Sequence, residues 1–132
     1  MAFVSGGLEK TNVEVASLEA SYTSQWYRVA TDLAGIGFHV AVDDGAGGSH
    51  TGAGTLTFEG TNKTTDIAEG IVIEDGLTGT KSLTAATIVA GTNFSQTFDI
   101  PKNHRHVRAV FTRTGGDVND QLRLDIEPRH MS

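Results

Sequence analysis

The chain has no cysteine, so a disulfide staple, a thiol nucleophile and a thiolate-bound zinc are all excluded. Long apolar runs are also missing; none approaches the ~18 residues of a membrane span, and no membrane partner is expected. The N-terminus, MAFVSGGLEK, has no basic region leading into an apolar stretch, so no secretion signal is expected. Helix signals are equally scarce, because no window of about twelve residues carries a 3.6-residue apolar period. Positive charge is in short supply: ten Lys and Arg stand against sixteen Asp and Glu, for a net charge of −6. The deficit is uneven. Residues 1–101 carry four basic and twelve acidic side chains, whereas residues 102–132 carry six and four. Binding to nucleic acid phosphates needs clustered positive charge, so direct nucleic acid contact is disfavoured. This basic C-terminal quarter suits an acidic protein surface, or is simply solvated surface.

Glycine and threonine are abundant, together 33 of 132 residues. Threonine packs well on a pleated surface, and glycine at this density punctuates many turns. Period-two alternation recurs along the chain. Ile36, Phe38, Val40 and Val42 mark one strand, and Leu56 and Phe58 another. Ile71 and Ile73 flank Val72 in a third. Phe94, Phe98 and Ile100 line one side of NFSQTFDI; Val107, Ala109 and Phe111 line one side of HRHVRAVFTR. Leu122, Leu124 and Ile126 give the cleanest pattern. Weaker candidates are NVEVASL (12–18), WYRVATDL (26–33) and SLTAATIV (82–89). Between them lie turn clusters such as DDGAGGSHTGAG, GTNKTT, EDGLTGTK and TGGDVND. At PKN, Pro101 ends a strand and the three residues are expected to form a hairpin with the next. Eight or so short strands at this spacing predict an all-β, antiparallel sandwich of the jelly-roll type. The expected division is an N-terminal arm or first strand over 1–25 and one sandwich domain over 26–132.

Catalytic chemistry is hard to assemble from these residues. The stretch DDGAGGSHTGAG places Gly47 and Gly52 at P-loop spacing, but Ala53 and Gly54 stand where a Lys and a Ser or Thr are required. A dinucleotide fingerprint fails at His50, and the strand-like TLTFEG follows where a helix should begin. His104 and His106 share one strand face, yet no third metal ligand has an identifiable spacing. Asp117, Asn119 and Asp120 are a fragment of a calcium loop without its glycine and distant glutamate. The pairs Asp43–Asp44 and Glu74–Asp75 sit in turns, where acidic residues are good turn formers. No serine has a recognisable base. An enzyme is not expected, and neither a metal nor an organic cofactor is.

Five segments in order carry a resemblance: VATDLAGIGFHVAVD (29–43), GAGTLTFEGTNKTTD (52–66), LTAATIVAGTNFSQTFDIP (83–101), HRHVRAVFTRTGG (104–116) and QLRLDIEP (121–128). Together they resemble the jelly-roll capsid cement, or decoration, proteins of tailed double-stranded-DNA phages. The family's aspartate–leucine pair before its first sheet strand is matched by Asp32–Leu33, and its proline turn before an arginine-bearing strand by DIPKNHRHVRAVF. NVEVASLEASYTSQW departs from the family pattern. The resemblance implies a structural protein made in the host cytoplasm and mounted on the outer surface of the virion's capsid. It would bind the major capsid protein lattice as a homodimer or homotrimer and stabilise the head. Residues expected at the capsid or partner interface are Trp26, Tyr27, Arg28, His104, Arg105, His106, Arg108 and Arg113. The glycine-rich stretch 43–54 would be a projecting connection able to conform to a neighbour. TLTFEGTNKTTD with HVRAVFTR also resembles the discoidin-type sugar-binding sandwich, which implies a carbohydrate-binding module, for instance of a phage fibre. On that reading Trp26 and Tyr27 would offer exposed flat faces to a sugar, although a lone tryptophan in a small β domain is more often core.

Overall fold

A computed structural model describes residues 12–61, 80–102 and 104–130. Among these residues there is no helix. They form β1 (Asn12–Ser17), β2 (Tyr22–Thr23), β3 (Tyr27–Arg28), β4 (Leu33–Asp43), β5 (Ala53–Thr61), β6 (Thr80–Ile88), β7 (Phe94–Pro101), β8 (His106–Gly115) and β9 (Gln121–His130). The run Ile71–Ile73 lies outside the described residues. The strands build two packed antiparallel sheets, one in the order β1-β9-β4-β7 and the other β2-β8-β5-β6, with β3 also on β8. β2 and β3 pair with Phe111–Val110 and Val107–His106 of β8, so they are two halves of one interrupted strand position. Counted that way there are eight positions, and the chain changes sheet at each described connection while β5 and β6 stay in one sheet, as in a jelly roll.

The period-two pattern sets which side chains go inside. Ile36, Phe38, Val40 and Val42 of β4 and Leu122, Leu124 and Ile126 of β9 are buried. They face Leu56 and Phe58 of β5 and Val107, Ala109 and Phe111 of β8, also buried. Aromatic rings tie the sheets together, with centroid distances of 6.2 Å for Tyr27–Phe38, 5.0 Å for Phe38–Phe58 and 4.9 Å for Phe58–Phe98. Each such side chain contributes roughly 1.5–3 kcal/mol through burial.

Of the two forms expected for 1–25, arm or first strand, the described part takes the second: β1 pairs with β9 from Asn12↔Ile126 to Ser17↔Gln121, and β2 pairs with β8. One expectation about chain organisation needs correction, because PKN does not close a hairpin. β7 pairs with β4 and β8 with β5, so the connection after Pro101 carries the chain from one sheet to the other. Alternation reports which face a residue takes; it does not report which strand lies beside it.

The backbone pairing can be followed by parity. Lys102 N–H donates to the Ala34 carbonyl at 3.0 Å, one step beyond the Gly35↔Pro101 pair. Hydrogen-bonded and non-bonded pairs alternate in an antiparallel ladder, so the even residues of β4 and β7 exchange bonds. The odd residues of β4 then bond β9, and the even residues of β9 point towards β1. Pro128 is one of these, and β1 reaches only to Ile126. Its missing N–H therefore costs the ladder nothing.

Candidate partner interface

The connections gather at opposite ends of the sandwich. Residues 18–21, 44–52, 89–93 and 116–120 lie at one end; 29–32, 102 and 104–105 lie at the other. Four of the expected interface residues collect near the second end. Arg28 pairs with His106 across β3 and β8, and His104 and Arg105 occupy the connection just before β8. Arg28 and Arg105 are exposed, and His104 is half-buried. Arg105 also fixes the chain here, because its carbonyl accepts the Val29 N–H at 2.8 Å. Lys102 adds a further cation, with Nζ donating to the Thr31 carbonyl at 2.5 Å.

Three expected interface residues are interior. Trp26 is 1% exposed and Tyr27 is fully buried, so neither presents a face to a capsid subunit or a sugar. Tyr27 points into the core, while Trp26 lies under the Arg108 guanidinium, 4.3 Å from the ring centroid. Arg108 also pairs with Glu59, Nε to Oε1 at 2.9 Å. That cation is committed twice within the chain, which shields the indole beneath it. His106 is 5% exposed, contrary to its expected place on a solvent or partner face. Burial, with Arg28 and Arg105 nearby, pushes its imidazole down to about 4, so it is neutral near pH 7. Arg113 stands apart, seven residues along β8 and so roughly 24 Å from His106. Its Nε donates to the Leu18 carbonyl at 2.8 Å and its other nitrogen to Gly116 at 2.7 Å. It pins two connections at the opposite end.

That opposite end is acidic and internally tied. Asp44 Oδ1 accepts the Ala46 and Gly48 amides at 2.9 and 2.8 Å, and these bonds hold its carboxyl below the usual range. Gly45 and Gly47 take φ of 88° and 84°, which favours glycine in this turn. The Gly47 carbonyl accepts from Asn93 at 3.2 Å, and His50 Nε2 bonds the Thr92 carbonyl at 2.8 Å. Asp120 is 3% exposed and accepts from Thr51 N–H, Thr51 Oγ1 and Asp117 N–H at 3.1, 2.6 and 3.0 Å. Burial raises its pKa, but these bonds outweigh burial and hold the carboxylate below its ordinary value. The expected calcium-loop fragment therefore turns its carboxylate inward as a clamp between loops. The glycine-rich stretch is likewise bound to its own neighbours rather than left to conform to a partner.

Two further polar clusters are present. Outside the first sheet, Gly37, His39, Thr97, Asp125, Glu127 and Arg129 line a shallow depression of ≈ 370 Å³. Its groups are engaged with one another: His39 shares hydrogen bonds with Thr97 Oγ1 at 2.9 Å and Ser95 Oγ at 3.3 Å. Arg129 crosses above Gly37, where a side chain would collide with it, and bonds Asp99 at 2.9 Å and Glu127. Sequence alternation had no way to reveal Glu14, which faces inward on β1. Its carboxylate accepts from the Tyr22 and Tyr27 hydroxyls. Burial first, then this bond to Glu14, raises both phenols well above their ordinary value. Among the described residues, no group of three His, Cys, Asp or Glu is placed to hold a metal ion. The sequence matches no family model and no curated protein.

Proposed function

We propose that this chain is a capsid cement protein, a jelly-roll sandwich that binds the outer surface of a tailed phage's major capsid protein lattice and stabilises the head. The observation that carries this reading is positional. Each of the five segments that resemble the family holds all or most of one or two of the strands β4 to β9, in jelly-roll order. The surface that would meet the capsid is the end bearing Arg28, Lys102 and Arg105, an exposed basic patch on an acidic chain. Like-signed fields would keep the acidic remainder away from packaged DNA, and the patch would steer the protein to acidic groups on the shell. Each contact need contribute little, since many copies act on one lattice.

The test is binding to expanded phage shells followed by sedimentation. The wild-type chain should pellet with shells in stoichiometric numbers, and Arg28→Glu with Arg105→Glu should lower occupancy at least tenfold. Unchanged occupancy would remove the basic end from the interface. Arg113→Glu, at the opposite end, should leave occupancy unchanged at temperatures where it stays folded.

A further inference from the structure

Each sheet of the sandwich has two edges, and three of the four are guarded in the ways that keep native sheets from pairing with strangers. β1 carries the inward charge of Glu14, held by two tyrosines. The β2–β3 edge is broken around Ser24, which bonds Ala109 through both its N–H and its Oγ at 2.9 Å. The β5–β6 ladder is shifted by a bulge between Phe58 and Glu59. β7 has none of these devices. Its eight residues run against β4 in unbroken register from Val42↔Phe94 to Gly35↔Pro101, and residues 94–98 are uncharged.

Among the described residues, no strand pairs with the outer edge of β7. The even residues of β7 bond β4, so the N–H and C=O groups of Ser95, Thr97 and Asp99 point sideways, away from β4. All three side chains are already used on the outer face: Ser95 and Thr97 with His39, and Asp99 with Arg129. What this edge lacks is a backbone partner.

We infer that β7 pairs antiparallel with β7 of a second copy of this chain, joining two four-stranded sheets into one across a two-fold axis at Thr97. The register follows from the edge itself. With Thr97 opposite the other copy's Thr97, each Ser95 faces an Asp99, and all three outward-pointing residues exchange both backbone bonds. Sliding by one pair in one direction sets Ser95 opposite Pro101, which has no N–H to give. Sliding two pairs that way sets Asp99 against itself. On the inner face the same register puts Gln96 beside Phe98 and Phe94 beside Ile100 of the other copy. Phe94 is only half-buried in the single chain, and the joint would cover it. This inference rests on the geometry of the β7 edge and not on the capsid.

Sedimentation velocity of the purified chain should show a dimer. Thr97→Pro removes an outward N–H and leaves the bonds to β4 intact, so it should sediment as a folded monomer. Gln96→Pro removes an N–H that β4 uses and should lose the fold. The chain has no cysteine, so Thr97→Cys is a clean probe of the axis. Hydrogen-bonded antiparallel partners lie about 5.5 Å apart at Cα, within disulfide range. Mild oxidation should therefore give a covalent dimer of Thr97→Cys but not of Ser95→Cys alone, whereas Ser95→Cys mixed with Asp99→Cys should cross-link. A monomer, a trimer, or a dimer untouched by Thr97→Pro would overturn the inference. A monomer that still coats shells would overturn the dimer and leave the capsid reading standing; a dimer that ignores shells would do the reverse.

Discussion

The side chains that look most available for recognition are used inside this molecule. Trp26 illustrates it: the indole is shielded by Arg108, which Glu59 holds in place. Trp26→Ala should therefore act on stability, lowering it by about 3 kcal/mol as truncations of buried large rings do, measured by urea unfolding. His106 makes the fold sensitive to acid. It stays neutral in the folded chain down to about pH 4, whereas an unfolded histidine takes up its proton near 6.5. The unfolded state binds more protons between those values, so stability should fall as pH drops through that window, by on the order of 3 kcal/mol. His106→Gln should flatten this decline. Asp44 and Asp120 have lowered values, and their contribution is present above the ordinary carboxylate value of 3.8 and lost at still lower pH. Asp120→Asn should leave the decline above pH 4 intact and weaken the one below it. A single acid transition unchanged by both substitutions would contradict these assignments. The burial of His106 was not legible in the sequence, because residues 106, 108 and 110 share an outward face that alternation alone assigns to solvent. A ring lying flat under a neighbour's guanidinium is a tertiary event.

Among the elements, legibility divides differently. The strands at 33–43, 53–61, 94–101, 106–115 and 121–130 could be read because one face of each is buried and the other is not. Even the weak pattern NVEVASL forms a strand, β1, with Val13 and Val15 exposed and Glu14 turned inward. Pairing was not legible. β1 lies on β9 and β4 on both β7 and β9, and such non-local partners leave no mark in a period-two pattern. The turn chemistry at 43–54 announced a loop, but the clamp between Thr51 and Asp120 joins positions 69 residues apart. The ladder order makes a prediction of its own. Amide exchange should be slowest in the central strands β4, β9, β5 and β8 and fastest in the two-residue β2 and β3, because interior strands are bonded on both sides. Exchange as slow in β2 as in β8 would contradict the topology.

At the scale of the whole molecule, the sandwich has two unlike ends and one unguarded edge. The acidic end is closed by Asp44, His50, Thr51, Asp120 and Arg113 on their own neighbours, while Arg28, Lys102 and Arg105 are grouped at the other. A β frame with its 44–52 loop tied to its own neighbours, Trp26 and Tyr27 buried, and Arg28, Lys102 and Arg105 at one pole is suited to gripping protein. The proposed joint along β7 would extend its reach. The proposed function places that pole against a capsid lattice, and one measurement bears on it most directly. Expanded phage shells incubated with the purified chain are reconstructed by cryo-electron microscopy. The account predicts extra density at every equivalent lattice position on the outer surface, with the end bearing Arg28 and Arg105 turned inward. Bare shells at saturating protein, or density attached through the 44–52 end, would contradict it.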